Sequence, residues 1–214
     1  MPVAVPNYRL SPRQAPPPDS GIPSLKHPEH VQDIVLALEK ITNSEHILPI
    51  ANTGKVLLVG HSCGAHMIAT LMLDPPQGEG TKLNPPLSSA VLQSIIGLVI
   101  AEGIYDLTLL LKTFPDYRDF IEGAFPSSGS LDEYSVSRYK YLSDKAIPWL
   151  VVQSPGDTLI DIPQAEVMYQ HLLLEYERSG WDARVIRRDF ESLEGDHDEV
   201  LGTLDFAKLV VSIL

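Results

Sequence analysis

The sequence predicts one α/β domain, a mostly parallel sheet with helices on both faces. Three observations predict it. Short all-apolar runs of strand length recur along the chain, and amphipathic segments of helical period lie between them. The 214 residues are close to one domain's worth and contain neither an internal repeat nor a linker, so residues 1–214 are expected to fold as a unit.

The elements follow in order. Seven of the eighteen prolines fall within Pro2–Pro23, so the start reads as a short strand followed by an extended loop. Pro28 to about Ser44 predicts a helix, with Val31, Ile34, Val35, Leu38 and Ile41 on one face and Pro28 in the first turn, where its missing N–H is not needed. Lys55–Val59 is a buried strand ending at a glycine, and Gly64–Leu73 a helix that stops at Asp74-Pro75-Pro76. After a loop over Gln77–Leu87 come two more buried strands, Ile95–Ala101 and Trp149–Gln153. Ile162–Tyr176 predicts a helix buried along Ile162, Ala165, Tyr169, Leu172, Leu173 and Tyr176. Ala183–Phe190 reads as a strand and Leu204–Leu214 as a closing helix.

Composition removes several function classes. Sixteen basic against 28 acidic residues give a net charge of −12, with no Lys/Arg cluster to neutralise phosphates, so no nucleic acid is expected as a partner. No apolar run approaches the ~20 residues that cross a bilayer, so no membrane is expected either. The one cysteine, Cys63, and a start without a basic signal region favour a reducing, cytoplasmic compartment.

Gly60-His61-Ser62-Cys63-Gly64 matches G-x-S-x-G, between a predicted strand and a predicted helix. Such a turn strains the serine backbone, and side chains at positions 60 and 64 are expected to collide with neighbouring backbone. It thrusts the Ser62 hydroxyl out at the carboxyl end of the sheet, and the new helix aims its first N–H, that of Cys63, at an oxyanion formed there. A serine nucleophile needs a base and an orienting carboxylate, and in a parallel sheet such groups gather beyond the strand carboxyl ends. Asp157, in the turn Ser154-Pro155-Gly156-Asp157 after Trp149–Gln153, and His197, after the last strand in Glu194-Gly195-Asp196-His197-Asp198, meet that criterion.

The competing groups read otherwise. Asp161 precedes a helix with Gln164 three residues on and reads as its cap. His66 lies one helical turn beyond Ser62 and points away from it, and His61 fills the variable place of the elbow in a packing or supporting role. His27, His30, His46 and His171 lie at polar ends or on helix faces, and Asp198 is solvated. Cys63 is expected to pack inward as a small apolar group. No spacing of histidines and carboxylates fits a metal site, so none is expected.

Several segments together resemble the α/β-hydrolase superfamily and, more narrowly, the fungal-type kynurenine formamidases (arylformamidases). They are Asn7-Tyr8-Arg9-Leu10-Ser11-Pro12, His27-Pro28-Glu29-His30, Val59 to Ala65, Glu102-Gly103-Ile104-Tyr105-Asp106-Leu107, Phe114-Pro115-Asp116-Tyr117, Ala124-Phe125-Pro126, Asp157 and Gly195-Asp196-His197, spread over nearly the whole chain. The order Ser62, Asp157, His197 is also that of α/β-hydrolases. The resemblance implies hydrolysis of N-formyl-L-kynurenine to L-kynurenine and formate, in tryptophan breakdown toward NAD. It implies Ser62 as nucleophile, His197 as base, Asp157 as its orienting acid and Cys63 N–H as oxyanion donor, with no cofactor. The partner would be a small aryl formamide, and a homodimer is compatible with the resemblance. A general short-acyl carboxylesterase of the hormone-sensitive-lipase type and a non-catalytic relative are the alternatives.

Seven of the fifteen aromatic residues lie in Phe114–Tyr141, within a small cap segment expected at about 106–141. They suit either an aryl pocket over Ser62, lined by Tyr105, Phe114, Tyr117 and Phe125, or the cap's own core. One departure from the family stands out: its upstream H-G-G-x-W-type motif, whose N–H groups complete the oxyanion hole, is not in this chain. Val3–Tyr8 resembles the strand that follows that motif. The expectation is therefore a chain shortened at its N-terminus, without the first strands. One sheet edge would be left unpaired, and the loss of oxyanion donors would cost ~2.7–4 kcal/mol, about 10²–10³ in rate.

Overall fold

The computed structural model describes residues 2–12, 21, 25–75, 86–127, 130–141 and 143–214. The proline-rich loop over 13–20 and 22–24, and most of the loop expected over 77–87, lie outside the described residues.

The apolar runs form a four-stranded sheet. β1 (Val56–His61), β3 (Ile95–Ala101), β5 (Trp149–Val152) and β6 (Ile186–Asp189) lie side by side in that order, every pair parallel. Parallel strands need crossovers. The first is α2 (Cys63–Met72), followed by β2 (Leu73–Asp74) and α3 (Ser89–Ser94). The second is α4 (Leu107–Thr113), α5 (Arg118–Ala124) and β4 (Lys140–Tyr141), and the third is α6 (Ile162–Arg178). α1 (Glu29–Asn43) precedes the sheet and α7 (Leu204–Val211) closes the chain.

Alternation along β3 and β5 builds two cores. Leu98, Ile100, Trp149 and Val151 pack with α1, α2 and α6 through Val35, Ala65, Met72, Met168 and Leu172. Val99, Ala101, Leu150 and Val152 face the other way, onto Leu193, Val200 and Phe206. A third cluster joins the short helices between β3 and β4 (Leu107, Leu110, Ile121, Phe125, Tyr134) to Ile160 in the loop after β5.

Four expectations change. Val3–Tyr8 forms no strand: residues 2–12 carry no regular structure, and Val3 and Val5 are 80% and 86% exposed. Pro2 and Pro6 withhold two of the donors a ladder would use. Among the described residues β1 therefore pairs on one side only. Ala183–Val185 is a 3-10 turn rather than the start of β6, because the Asp182 carboxylate accepts the Arg184 N–H and winds the chain there. α6 runs on to Arg178, and α7 ends at Val211. α3 was not anticipated; Ser88 caps it by accepting the Val91 N–H. The β2–β4 pair, with Leu73 opposite Tyr141, is too short to carry a sequence signal.

Candidate active site

β1 ends at His61 and α2 begins at Cys63, so a single residue makes the turn. That residue, Ser62, has φ 55° and ψ −121°, a conformation that side-chain-bearing residues adopt at a strain of about 1–3 kcal/mol. The Ser62 N–H donates to Ala101 O at 2.9 Å, which pins the turn to the end of β3. Gly60 is required: a Cβ there would sit 2.5 Å from Gly64 O and 2.7 Å from Ile68 Cδ1. Gly64 is not, since a Cβ there meets nothing within 4 Å; the expected collision exists on one side of the turn only. Cys63 N–H, at the first position of α2, has no acceptor one turn back within the helix, and among the described residues it donates to no other group. The Cys63 side chain is exposed, with Sγ 3.3 Å from the Tyr8 hydroxyl, so it does not pack inward as expected. The first turn of α2 points it over the N-terminal segment instead.

Asp157 and His197 come together as their strand ends predict. His197 Nδ1 lies 2.8 Å from Asp157 Oδ2. Asp157 Oδ2 also accepts from Gln153 Nε2 at 2.9 Å, and Oδ1 accepts the Leu159 and Ile160 N–H groups at 2.8 and 2.9 Å. Gln153, the last residue of the apolar run after which Asp157 sits, thus orients the acid, a role its place in a buried run did not signal. Burial works to raise the Asp157 carboxyl, but the His197 hydrogen bond and the two amides outweigh it and hold the group below the ordinary carboxylate range. Burial works to lower the His197 imidazole, but the Asp157 hydrogen bond and the charges of Asp157, Glu102 and Asp198 outweigh it and raise it.

The two loops that carry the pair are fastened to each other by side chains and by a close backbone approach. Ser154 Oγ donates to Gly195 O at 2.7 Å, and Thr158 donates through N–H and hydroxyl to Asp196 Oδ1 at 2.9 and 2.8 Å. Gly156 allows the approach, since a Cβ there would meet Gly195 O at 2.7 Å. The His197 loop also touches the elbow, with His61 Nε2 2.9 Å from His197 O and the two rings 4.4 Å apart. Among the described residues the Ser62 hydroxyl holds no hydrogen bond, and His197 presents Nε2 on the side of the ring away from Asp157.

Sequence reasoning missed Glu102. It follows β3 with φ 49°, is fully buried, and puts Oε2 2.9 Å from His61 Nε2 and 3.8 Å from His197 Nδ1. His61, Glu102 and His197 offer ligand atoms within 4.8 Å of one another, the one such group of metal-binding type among the described residues. Hydrogen bonding already accounts for the contacts of His61.

The aromatic residues divide. Tyr105 is fully buried, its ring folded over Gly103 where any Cβ would collide with it, so it has no face for a substrate. Phe125 is buried among His27, His66 and Tyr134 at centroid distances of 5.1–5.4 Å. Both belong to the interior and not to an open pocket lining. Phe114 and Tyr117 are only half-buried and stack at 5.1 Å and 12°. The Tyr117 hydroxyl donates to Leu159 O at 3.2 Å, which sets the stack beside the Asp157 loop. Burial, then the charge of Asp157, raises the Tyr117 phenol.

Of the competing groups, His66 does turn away from Ser62, holding Ile104 O through Nδ1 at 2.9 Å. His27 lies in the interior and not at a polar end, 4% exposed. Asp161 sits at the N-cap of α6 without a side-chain cap bond. Gln164, its expected partner, instead accepts the Tyr105 and Asp106 N–H groups at 2.9 Å each.

Solved structures resemble this arrangement of sheet, elbow and loops. A truncated carbohydrate esterase from gut microbiota superposes with a TM-score of 0.63 at 13% identity, over 88% of this chain and 68% of that one. A carboxylesterase from Lactobacillus plantarum gives 0.56 at 14% identity, over 86% and 60%. The chain has the α/β-hydrolase fold. No family model matches it. Among curated proteins it is similar to fungal kynurenine formamidases. It is 29% identical over 176 residues to that of Meyerozyma guilliermondii, 78% of this chain and 57% of that one. It is 25% identical over 184 residues to that of Scheffersomyces stipitis, 78% and 62%, and 27% identical over 164 residues to that of Saccharomyces cerevisiae, 73% and 60%. The chain thus spans about three-fifths of the length of these relatives. Among the described residues no helix is long and apolar enough to cross a membrane.

Proposed function

We propose that this α/β-hydrolase is a serine hydrolase that cleaves N-formyl-L-kynurenine to L-kynurenine and formate. The observation that carries the reading is the 2.8 Å His197–Asp157 contact, on loops fastened to the strained turn that presents Ser62. The similarity to kynurenine formamidases supplies the substrate class. In this reading Ser62 Oγ attacks the formyl carbon as its proton passes to His197 Nε2, and the imidazolium is stabilised by Asp157. The Cys63 N–H binds the resulting oxyanion. His197 then returns the proton to the aniline nitrogen, the C–N bond breaks and kynurenine leaves. Water, deprotonated by His197, attacks the formyl-serine, and formate departs as Ser62 regains its proton. The Phe114–Tyr117 stack offers the aryl ring a flat surface within the small cap at 106–141. The same reading gives a place in tryptophan breakdown toward NAD, and a single cysteine supports a cytoplasmic setting.

Release of kynurenine from its N-formyl derivative by the wild type, and its loss in Ser62→Ala, tests the proposal. A wild type that cleaves short acyl esters but leaves the formamide intact reassigns it as a carboxylesterase. A folded sample whose Ser62 no fluorophosphonate labels is not a hydrolase.

A further inference from the structure

The triad reading leaves Glu102 without a task, although its position is unusual. The residue is fully buried and takes a positive φ that glycine would adopt more readily. Its Oε1 lies 3.4 Å from the Ser154 N–H, at the root of the loop that carries Asp157. Its Oε2 lies 2.9 Å from His61 Nε2, which is also 2.9 Å from His197 O. Both partners of His61 Nε2 are acceptors, so this nitrogen carries the proton and bridges them, a tautomer assigned from its partners. The same Oε2 is 3.8 Å from His197 Nδ1.

We propose that Glu102 is a positioning residue and a second anionic support for His197. Through His61 it holds the backbone carbonyl of residue 197, and its charge stabilises the imidazolium that forms when Ser62 gives up its proton. The Nδ1 proton stays on the ring toward Asp157 throughout, and only the serine proton moves, to Nε2. The groups around the imidazole are Asp157, Glu102, Asp196 and Asp198, with the His61 ring alongside. Asp157 makes the direct hydrogen bond, and Glu102 is the one carboxylate that reaches His197 from the β3 end of the sheet. The catalytic consequence rests on the serine-hydrolase reading above, whereas the electrostatic support does not.

An NMR titration of the His197 ring, paired with the rate of Ser62 labelling by a fluorophosphonate, separates the two. In Glu102→Gln the His197 midpoint is expected to fall by about 1 pH unit, and labelling at neutral pH to slow about tenfold. The acid limb of the labelling rate should move with the midpoint. Glu102→Asp retains the charge on a shorter stem, and its midpoint should lie between those of wild type and Glu102→Gln; it also serves as the comparison if the amide variant does not fold. Asp157→Asn should keep a higher midpoint than Asp157→Asn combined with Glu102→Gln. A His197 titration in Glu102→Gln or Glu102→Asp that coincides with the wild-type curve overturns the proposal. A midpoint that falls in Glu102→Gln, together with a wild-type Ser62 that is never labelled, keeps the support by Glu102 and removes the hydrolase reading.

Discussion

Two pairs of imidazoles flank the N-terminus of α2 and meet opposite surroundings. On one side His61 and His197 face Glu102 and Asp157, with every short contact made by an ionisable or backbone polar atom. On the other, His27 and His66 are 5.6 Å apart and packed on Phe125 and Tyr134. Burial is the first force on His197, as it is on His66 and His27. Beside carboxylates it is outweighed and His197 is raised; beside carbon it prevails, pushing His66 down to about 4 and His27 well below its ordinary value. The comparison teaches that burial alone does not set the chemistry of a histidine. What decides is whether an anion has been folded in with it.

The largest expected effect sharpens the anionic side. His197→Ala should reduce turnover by about 10⁶, the scale seen when a serine hydrolase loses its base, with the fold retained in circular dichroism. Asp157→Asn, which keeps the shape but removes the charge, should lower kcat by about 10⁴. On the aromatic side the expected loss is in stability. Phe125→Ala should destabilise the protein by about 3–5 kcal/mol in denaturant titration, while the folded fraction labels at the wild-type rate. A large loss of labelling in folded Phe125→Ala would break the comparison, because it would make the interior cluster part of the reaction.

Acid titration gives a smaller effect with a definite sign. His66 is lowered on folding, so between its ordinary 6.5 and about 4 the unfolded chain binds more protons and stability falls as pH falls. The contribution amounts to about 3 kcal/mol by pH 4, and unfolding of His66→Gln should lack it. Asp157, lowered on folding, adds stability above the ordinary carboxylate value that is lost as pH falls through its folded value. His197, raised on folding, acts oppositely to His66: its contribution is full below the ordinary imidazole value and is lost as pH rises through its folded one. Smallest of all, Tyr117→Phe removes one exposed hydrogen bond to Leu159 O and should raise KM by no more than about tenfold at unchanged kcat.

The sheet was legible because a strand buried on both faces needs an unbroken apolar run, and Ile95–Ala101 and Trp149–Val152 have little else. The elbow and the contact of Asp157 with His197 were legible because the fold gathers polar groups at strand carboxyl ends, which the apolar runs locate. Glu102 occupies such an end too, yet a lone carboxylate before a glycine looks like any solvated loop charge; only its positive φ and the convergence of β1 and β5 bury it. His27 was misread because the proline-rich segment before it has no periodicity from which to infer a buried face. Tyr105 and Phe125 could not be assigned to pocket or interior, since both roles select aromatic side chains. The two strands differ from Val3–Tyr8 in a simple respect: that segment alternates apolar residues but carries prolines where a ladder needs donors.

The Gly156–Gly195 approach has a consequence for how the site keeps its alignment. Because the acid's turn and the base's turn share one backbone seam, a fluctuation that displaces one carries the other with it. Alignment of Asp157 with His197 is thereby insulated from loop motion, and the placement of the imidazole relative to Ser62 depends instead on the bridge from His61 to the carbonyl of residue 197.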